Sequence, residues 1–224
     1  MDGEPERSGA VDRLRRGAAA AVRGGFFRVT VVATALFLYL PVVVVGYLSL
    51  APGSQPSIPL DGATLRWYAA VLSDARFVRG LVTSGAIGVV AAVAGTGLGL
   101  LAARTVVRGR LPGWLRAFVG VVVAIPLFIP TVVVALGIGI TAGQVGLGFG
   151  LLPVVAGHLY WVLPFSTFLI ASRYATIDGR MSEVARDLGA DSVTTFRTIT
   201  LPQLWSALVA SVLFAFALSF NEFL

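Results

Sequence analysis

An all-α, polytopic transmembrane helix bundle is the fold class this sequence predicts, and three observations predict it. The 224 residues are 57% hydrophobic and only 12% charged, with a mean hydropathy of +0.88. A soluble domain carries about 25% charge, so this chain has too little polar surface to cover itself in water. Five stretches reach the roughly 20 apolar residues that a helix needs to cross a bilayer core. The basic residues gather unevenly between those stretches, as cytoplasmic connections do. Strands of a membrane barrel would alternate in polarity over about 10 residues, and no segment does so.

Residues 1–25 mix Arg, Gly, Ala and acids without a sustained apolar stripe, and read as a mobile tail. Residues 26–224 then form the membrane domain. The first stretch, 26–50, is far longer than the apolar core of a secretory signal and reads as an anchor. Segment 51–79 opens with Pro52, Gly53, Pro56 and Pro59, which is loop chemistry. Residues 65–72 follow as a short amphipathic helix, with Trp67 and Tyr68 suited to the membrane boundary. The second stretch, 80–103, is rich in glycine, and Gly95 and Gly99 form a small-xxx-small pair that permits close helix approach. The third, 118–142, contains Pro126 and Pro130, each of which removes a backbone donor and kinks a helix. The fourth, 151–172, contains His158. The fifth, 204–224, places Asn221 and Glu222 near its far end. These three polar features, His158, Asn221 and Glu222, are the candidate pathway residues, with two readings open for each of two of them. His158 is a pathway residue or a hydrogen-bonded packing residue. Glu222, a carboxylate costly in lipid, faces a water-filled cavity or the headgroups.

All 17 basic side chains are arginines. Fourteen lie in the tail and start of the first stretch, in the 104–116 connection or in the 173–203 connection, against Arg66, Arg76 and Arg79 elsewhere. The N-terminus and the 173–203 loop are therefore assigned to the cytoplasm. The net charge of +6 belongs to these membrane-end arginines rather than to a nucleic-acid surface. A Walker A loop needs a lysine, and the chain has none. Without cysteine there is no thiol catalysis or disulfide framework, and a single histidine argues against a multi-His metal site. No catalytic residue, metal or cofactor is assigned.

The most informative segment runs from Glu183 to Pro202. It reads as two short helices joined at a turn. Ser182 is placed to cap the first, Gly189 to take the left-handed position at its end, and Asp191 or Ser192 to cap the second. Pro202 falls in the first turn of the fifth span, where proline costs little.

This segment resembles the EAA loop of ABC importer permeases: E-A-A-x-x-x-G, nine residues, then I-x-L-P. Glu183, Ala185, Gly189, Ile199, Leu201 and Pro202 match in identity and spacing, and Val184 replaces the usual second alanine. Ile125-Pro126, Ile129-Pro130, Gly157-His158, Pro164-Phe165 and 218–223 are similar to the family's polyamine-type branch. The resemblance implies a type I ABC importer permease fold with five of its six spans within this sequence, a sixth being expected beyond Leu224. It implies that the 173–203 loop couples the translocation pathway to a separate ATPase. The implied partners are a cytoplasmic ATP-binding subunit dimer, a second and different permease subunit, an extracytoplasmic substrate-binding protein and membrane lipid, in the inner membrane of a bacterial cell. A secondary transporter using His158 and Glu222 as an ion relay, and a non-transporting membrane scaffold, are the competing readings.

Overall fold

The computed structural model describes residues 4–222 apart from 54, 56, 57, 110 and 149, with side chains from residue 25 onward. The chain forms two compact units, Met1–Ala75 and Arg76–Leu224. In the first, helix α1 spans Glu4–Leu48 and its 25–48 portion is apolar enough to cross a membrane. Helix α2, Arg66–Ser73, is the short amphipathic helix expected after the proline-rich loop. The loop is tied down by polar contacts. Trp67 Nε1 donates to the Ala51 carbonyl at 2.8 Å, Arg66 donates to the Pro52 carbonyl, and the Arg66 guanidinium lies 4.5 Å above the Trp67 ring. An indole with one apolar face and one satisfied N–H suits an interfacial position.

The second unit holds α3 (Ala75–Arg108), α4 (Gly113–Ala124), α5 (Thr131–Gln144), α6 (Leu151–Ala175), α7 (Arg180–Asp187), α8 (Ser192–Thr195) and α9 (Leu201–Phe220). No strand occurs among the described residues. Helices α3 and α6 meet through the glycine pair. A Cβ at Gly95 would lie 2.6 Å from Val162 Cγ1, and one at Gly99 would lie 2.8 Å from Ser166 Cβ. Contacts between α3 and α6 advance together along both helices, from Gly95–Val162 to Gly99–Ser166, and beyond them Arg108 donates to the Ile177 carbonyl just past the end of α6. The two helices are therefore parallel. Contacts with α9 run in the opposite sense: Gly88 faces Phe216, Thr96 and Ser211 share a buried 3.1 Å hydrogen bond, and Ala103 packs near Leu204. Helix α9 is antiparallel to both.

Two parallel helices in one bilayer require a crossing between them. That crossing is the expected third span, and it is not one kinked helix. Residues 113–128 and 131–144 meet at 105°. The first arm ends in a 3-10 turn at Ile125–Phe128, Ile129 is extended, and Pro130 precedes α5. A residue before proline is driven from the helical region, and Pro130 has no N–H to continue the ladder. Neither arm alone reaches the length of a span; together they carry the chain across.

The fifth span differs as well. Helix α8 does not stop before it but continues through a π-helical turn at Phe196–Thr200 into α9, giving an unbroken helical segment over Ser192–Phe220. The proline ring at 202 would press on the carbonyl four residues back in a regular helix. The wider turn just before it relieves that contact.

Candidate functional site

Two constellations hold the residues singled out by the sequence, at opposite ends of the second unit. At one end lies the 176–200 region. The Asp178 carboxylate accepts from the Arg180 N–H at 2.9 Å at the start of α7. Ser182 is not the cap: it is the third residue of α7 and is buried. The other end of α7 closes with Gly189 at φ +89°. Gly189 N donates to the Arg186 carbonyl and Ala190 N to the Ala185 carbonyl, both at 2.9 Å. This is the paired closure in which a left-handed glycine satisfies the last carbonyls of a helix. Ala185 and Gly189, four residues apart, thus act in one turn. Asp191 then caps α8, accepting from Thr194 N–H at 2.8 Å. Hydrogen bonding to Thr194, through side chain and then backbone, holds the Asp191 carboxyl below its ordinary value.

Helix α7 turns an apolar stripe outward. Met181, Val184 and Leu188 are 50%, 56% and 83% exposed, at the spacing of one helical face. Glu183 is exposed beside them. The helix is held from behind. The Gln203 amide donates to the Ile199 carbonyl at 3.0 Å and to Met181 sulfur at 3.8 Å. Just past Leu201 and Pro202, Leu204 is fully buried in a cluster with Ala103, Ile170, Tyr174 and Ile177. Any displacement of α7 therefore meets the packed core of three spans within a few residues.

At the other end, His158 of α6 and Ser219 of α9 are both buried and share a 2.7 Å hydrogen bond between Nδ1 and Oγ. Glu222 lies within electrostatic range of His158. The structure places these two candidates at the same end of the bundle and pairs His158 with Ser219, to which the sequence alone gives no role. Asn221 is exposed and serves as the C-cap of α9, its backbone N–H bonding the Ala217 carbonyl at 3.1 Å. It does not join the cluster. The Thr96–Ser211 pair lies further along α9, where that helix meets α3 rather than α6. Its signal in the sequence was a hydroxyl on each of two apolar helices, which names no partner.

The family model for binding-protein-dependent transport system inner membrane components matches residues 95–224. The spermidine/putrescine transport system permease protein PotC of Escherichia coli (strain K12) is 28% identical over 201 residues, covering 90% of this chain and 74% of that protein. The putrescine transport system permease protein PotI of the same organism is 30% identical over 193 residues, covering 83% of this chain and 68% of its own length. In fold, the chain is similar to a crystal structure of a bacterial ABC transporter involved in the import of the acidic polysaccharide alginate. The TM-score is 0.67 and the identity 16%, over 91% of this chain and 75% of that one. Those matches, on a bundle of apolar helices with an outward-facing amphipathic turn, set aside the secondary-transporter and scaffold readings: the chain belongs to the binding-protein-dependent inner membrane components, the ABC importer permeases, and is a multi-pass membrane transport component rather than an enzyme.

Proposed function

We propose that this chain is the permease subunit of an ATP-driven importer of polyamines, coupled to a separate ATPase through α7 and the segment leading into α9. The observation that carries the coupling role is the exposed apolar stripe of Met181, Val184 and Leu188 on a short helix braced against the bundle. Exposed large apolar groups on a structured helix outside the span mark a docking face, here for a cytoplasmic ATP-binding subunit dimer. The continuous Ser192–Phe220 segment would convert ATPase closure into movement of the spans, a rigid-body transition. A second, different permease subunit completes the pathway, and an extracytoplasmic binding protein delivers substrate. The polyamine assignment rests on the relatives' names and on a carboxylate, Glu222, within electrostatic range of the buried His158.

Two experiments test this reading. The chain lacks cysteine, so single-cysteine labelling has no native background. Ala63 and Leu188 are both exposed. In intact bacterial cells an impermeant maleimide is expected to label Ala63→Cys and to reach Leu188→Cys only after permeabilisation. The reverse pattern would put the 176–200 region outside and end the coupling assignment. The second concerns charge. In proteoliposomes containing the whole transporter, Glu222→Gln is expected to lower radiolabelled spermidine uptake at limiting substrate by about tenfold, the worth of one charge-assisted contact. Assembly and the binding protein's own affinity should be unchanged. Wild-type uptake kinetics in that variant would show that Glu222 does not recognise a cation.

A further inference from the structure

A cavity of about 470 Å³ opens between the end of α3 and the α7–α8 region. Its charged lining is three guanidinium groups, Arg104, Arg108 and Arg186, with no carboxylate among the lining residues. Three largely buried hydroxyl residues, Ser182, Thr195 and Thr200, share the wall. Two of the arginines are partly engaged. Arg108 donates to the Ile177 carbonyl and lies 5.3 Å over the Tyr174 ring, while Arg104 lies 5.4 Å over Phe196. The Arg186 guanidinium and the Ser182 and Thr200 hydroxyls make no hydrogen bond, ion pair or ring contact among the described residues. Such groups gather a multiply bonded anion: guanidinium forks and hydroxyls match phosphate oxygens.

The depth of the cavity says where the anion comes from. Leu101 lines it at one level and Arg108 at the other, about 10 Å apart along a helix. The site therefore spans the change from hydrocarbon to headgroup. Leu101, Tyr174 and Phe196 add apolar surface to its lining, which a free phosphate would not use and a lipid's glycerol and upper acyl segments would. A protein side chain arriving from the cytoplasm has no reason to reach Leu101. We propose that this cavity binds the phosphate headgroup of an anionic phospholipid of the cytoplasmic leaflet. Basic pockets between helices at that level hold anionic headgroups. The bound lipid bridges α3, α7 and the α8 region, and so stiffens the lever behind the docking face. Lipid binding needs the helices to span a membrane with the 176–200 region inside, but not the polyamine or ATPase assignments, since Met181, Val184 and Leu188 lie outside the cavity lining; only the lever role rests on the coupling reading.

The test uses the full chain in nanodiscs of phosphatidylcholine, with phosphatidylglycerol as the titrated probe and native mass spectrometry as the readout. Wild-type protein is expected to retain phosphatidylglycerol at least tenfold over phosphatidylcholine. Arg104→Gln combined with Arg186→Gln should cost about tenfold or more in that retention, at roughly one factor of five per basic group, and the corresponding pair of lysines should restore most of it. Arg108 is left in place because it holds the Ile177 carbonyl. If the double variant does not melt like wild type, Arg186→Gln alone carries the test, since the Arg186 side chain makes no bond among the described residues. Equal retention in wild type and the variant, or no preference over phosphatidylcholine, overturns the proposal. Displacement by millimolar inorganic phosphate reassigns the site to a soluble anion. Displacement of the lipid by an added ATPase subunit reassigns it to a protein carboxylate.

Discussion

Gly99→Leu is expected to abolish the folded permease, whereas Gly97→Ala, two residues away on the same helix, is expected to leave it intact or slightly more stable. The contrast follows from what each side chain would meet. At Gly99 a Cβ falls 2.8 Å from Ser166 Cβ and 3.0 Å from both the Ser166 carbonyl carbon and Thr167 N. Two of those three atoms are backbone and cannot swing aside. At Gly97 nothing lies within 4 Å, so alanine adds only its better helix propensity, about 0.8–1 kcal/mol. Overpacking a tight core costs about 1–3 kcal/mol even where side chains can adjust. Here a larger group must push the α3 and α6 backbones apart along the seam that also carries the Gly95–Val162 contact and ends near the Arg108–Ile177 hydrogen bond. Gly95→Leu should be milder than Gly99→Leu, because its nearest obstacle is the Val162 side chain rather than backbone. Fluorescence-detected size-exclusion after a heating series would measure the surviving fraction. A Gly99→Leu protein that melts with wild type would mean that α3 and α6 do not meet at this seam.

What could be read from the sequence, and what could not, divides along the range of the interaction. The apolar stretches, the arginine asymmetry and the left-handed glycine at 189 are local facts, and local physics fixes them. The break of the third span was partly local too. Ile129 precedes Pro130 and leaves the helix as such a residue tends to do. Ile125 precedes Pro126 yet stays helical, with φ −47° and ψ −44°, so the rule alone could not place the break or give its 105° angle. The junction at Pro202 misled in the other direction. A proline near the start of a span reads as a boundary, whereas the helix arrives from Ser192 and absorbs the proline through a π turn. The His158–Ser219 hydrogen bond and the arginine-lined cavity were out of reach. Each joins residues on different helices, and the register of one helix against another is set by packing that no single segment encodes.

The second large effect is expected at Gly189. Gly189→Val should leave the spans inserted but lose both substrate uptake and co-purification of the ATPase. The glycine sits at φ +89° with open space around its missing Cβ. The penalty is therefore one of backbone conformation rather than crowding. A left-handed residue other than glycine costs roughly 1–2 kcal/mol, and β-branching makes it worse. That cost is local, but the hydrogen bonds it breaks are the two closing α7, from Gly189 N to the Arg186 carbonyl and from Ala190 N to the Ala185 carbonyl. An eight-residue helix is too short to persist in water without such closure. If it unravels, Met181, Val184 and Leu188 no longer share a face, and the proposed docking surface is gone. The bundle core around Leu204 and Ile170 does not depend on that turn, so insertion and thermal stability should hold. Gly189→Asn supplies the control, because asparagine enters the left-handed region far more readily than valine. It should retain most uptake and most ATPase. Equal loss in the asparagine and valine variants would locate the defect in the glycine's small size at a partner surface. Normal uptake and normal co-purification in Gly189→Val would remove α7 as the coupling element.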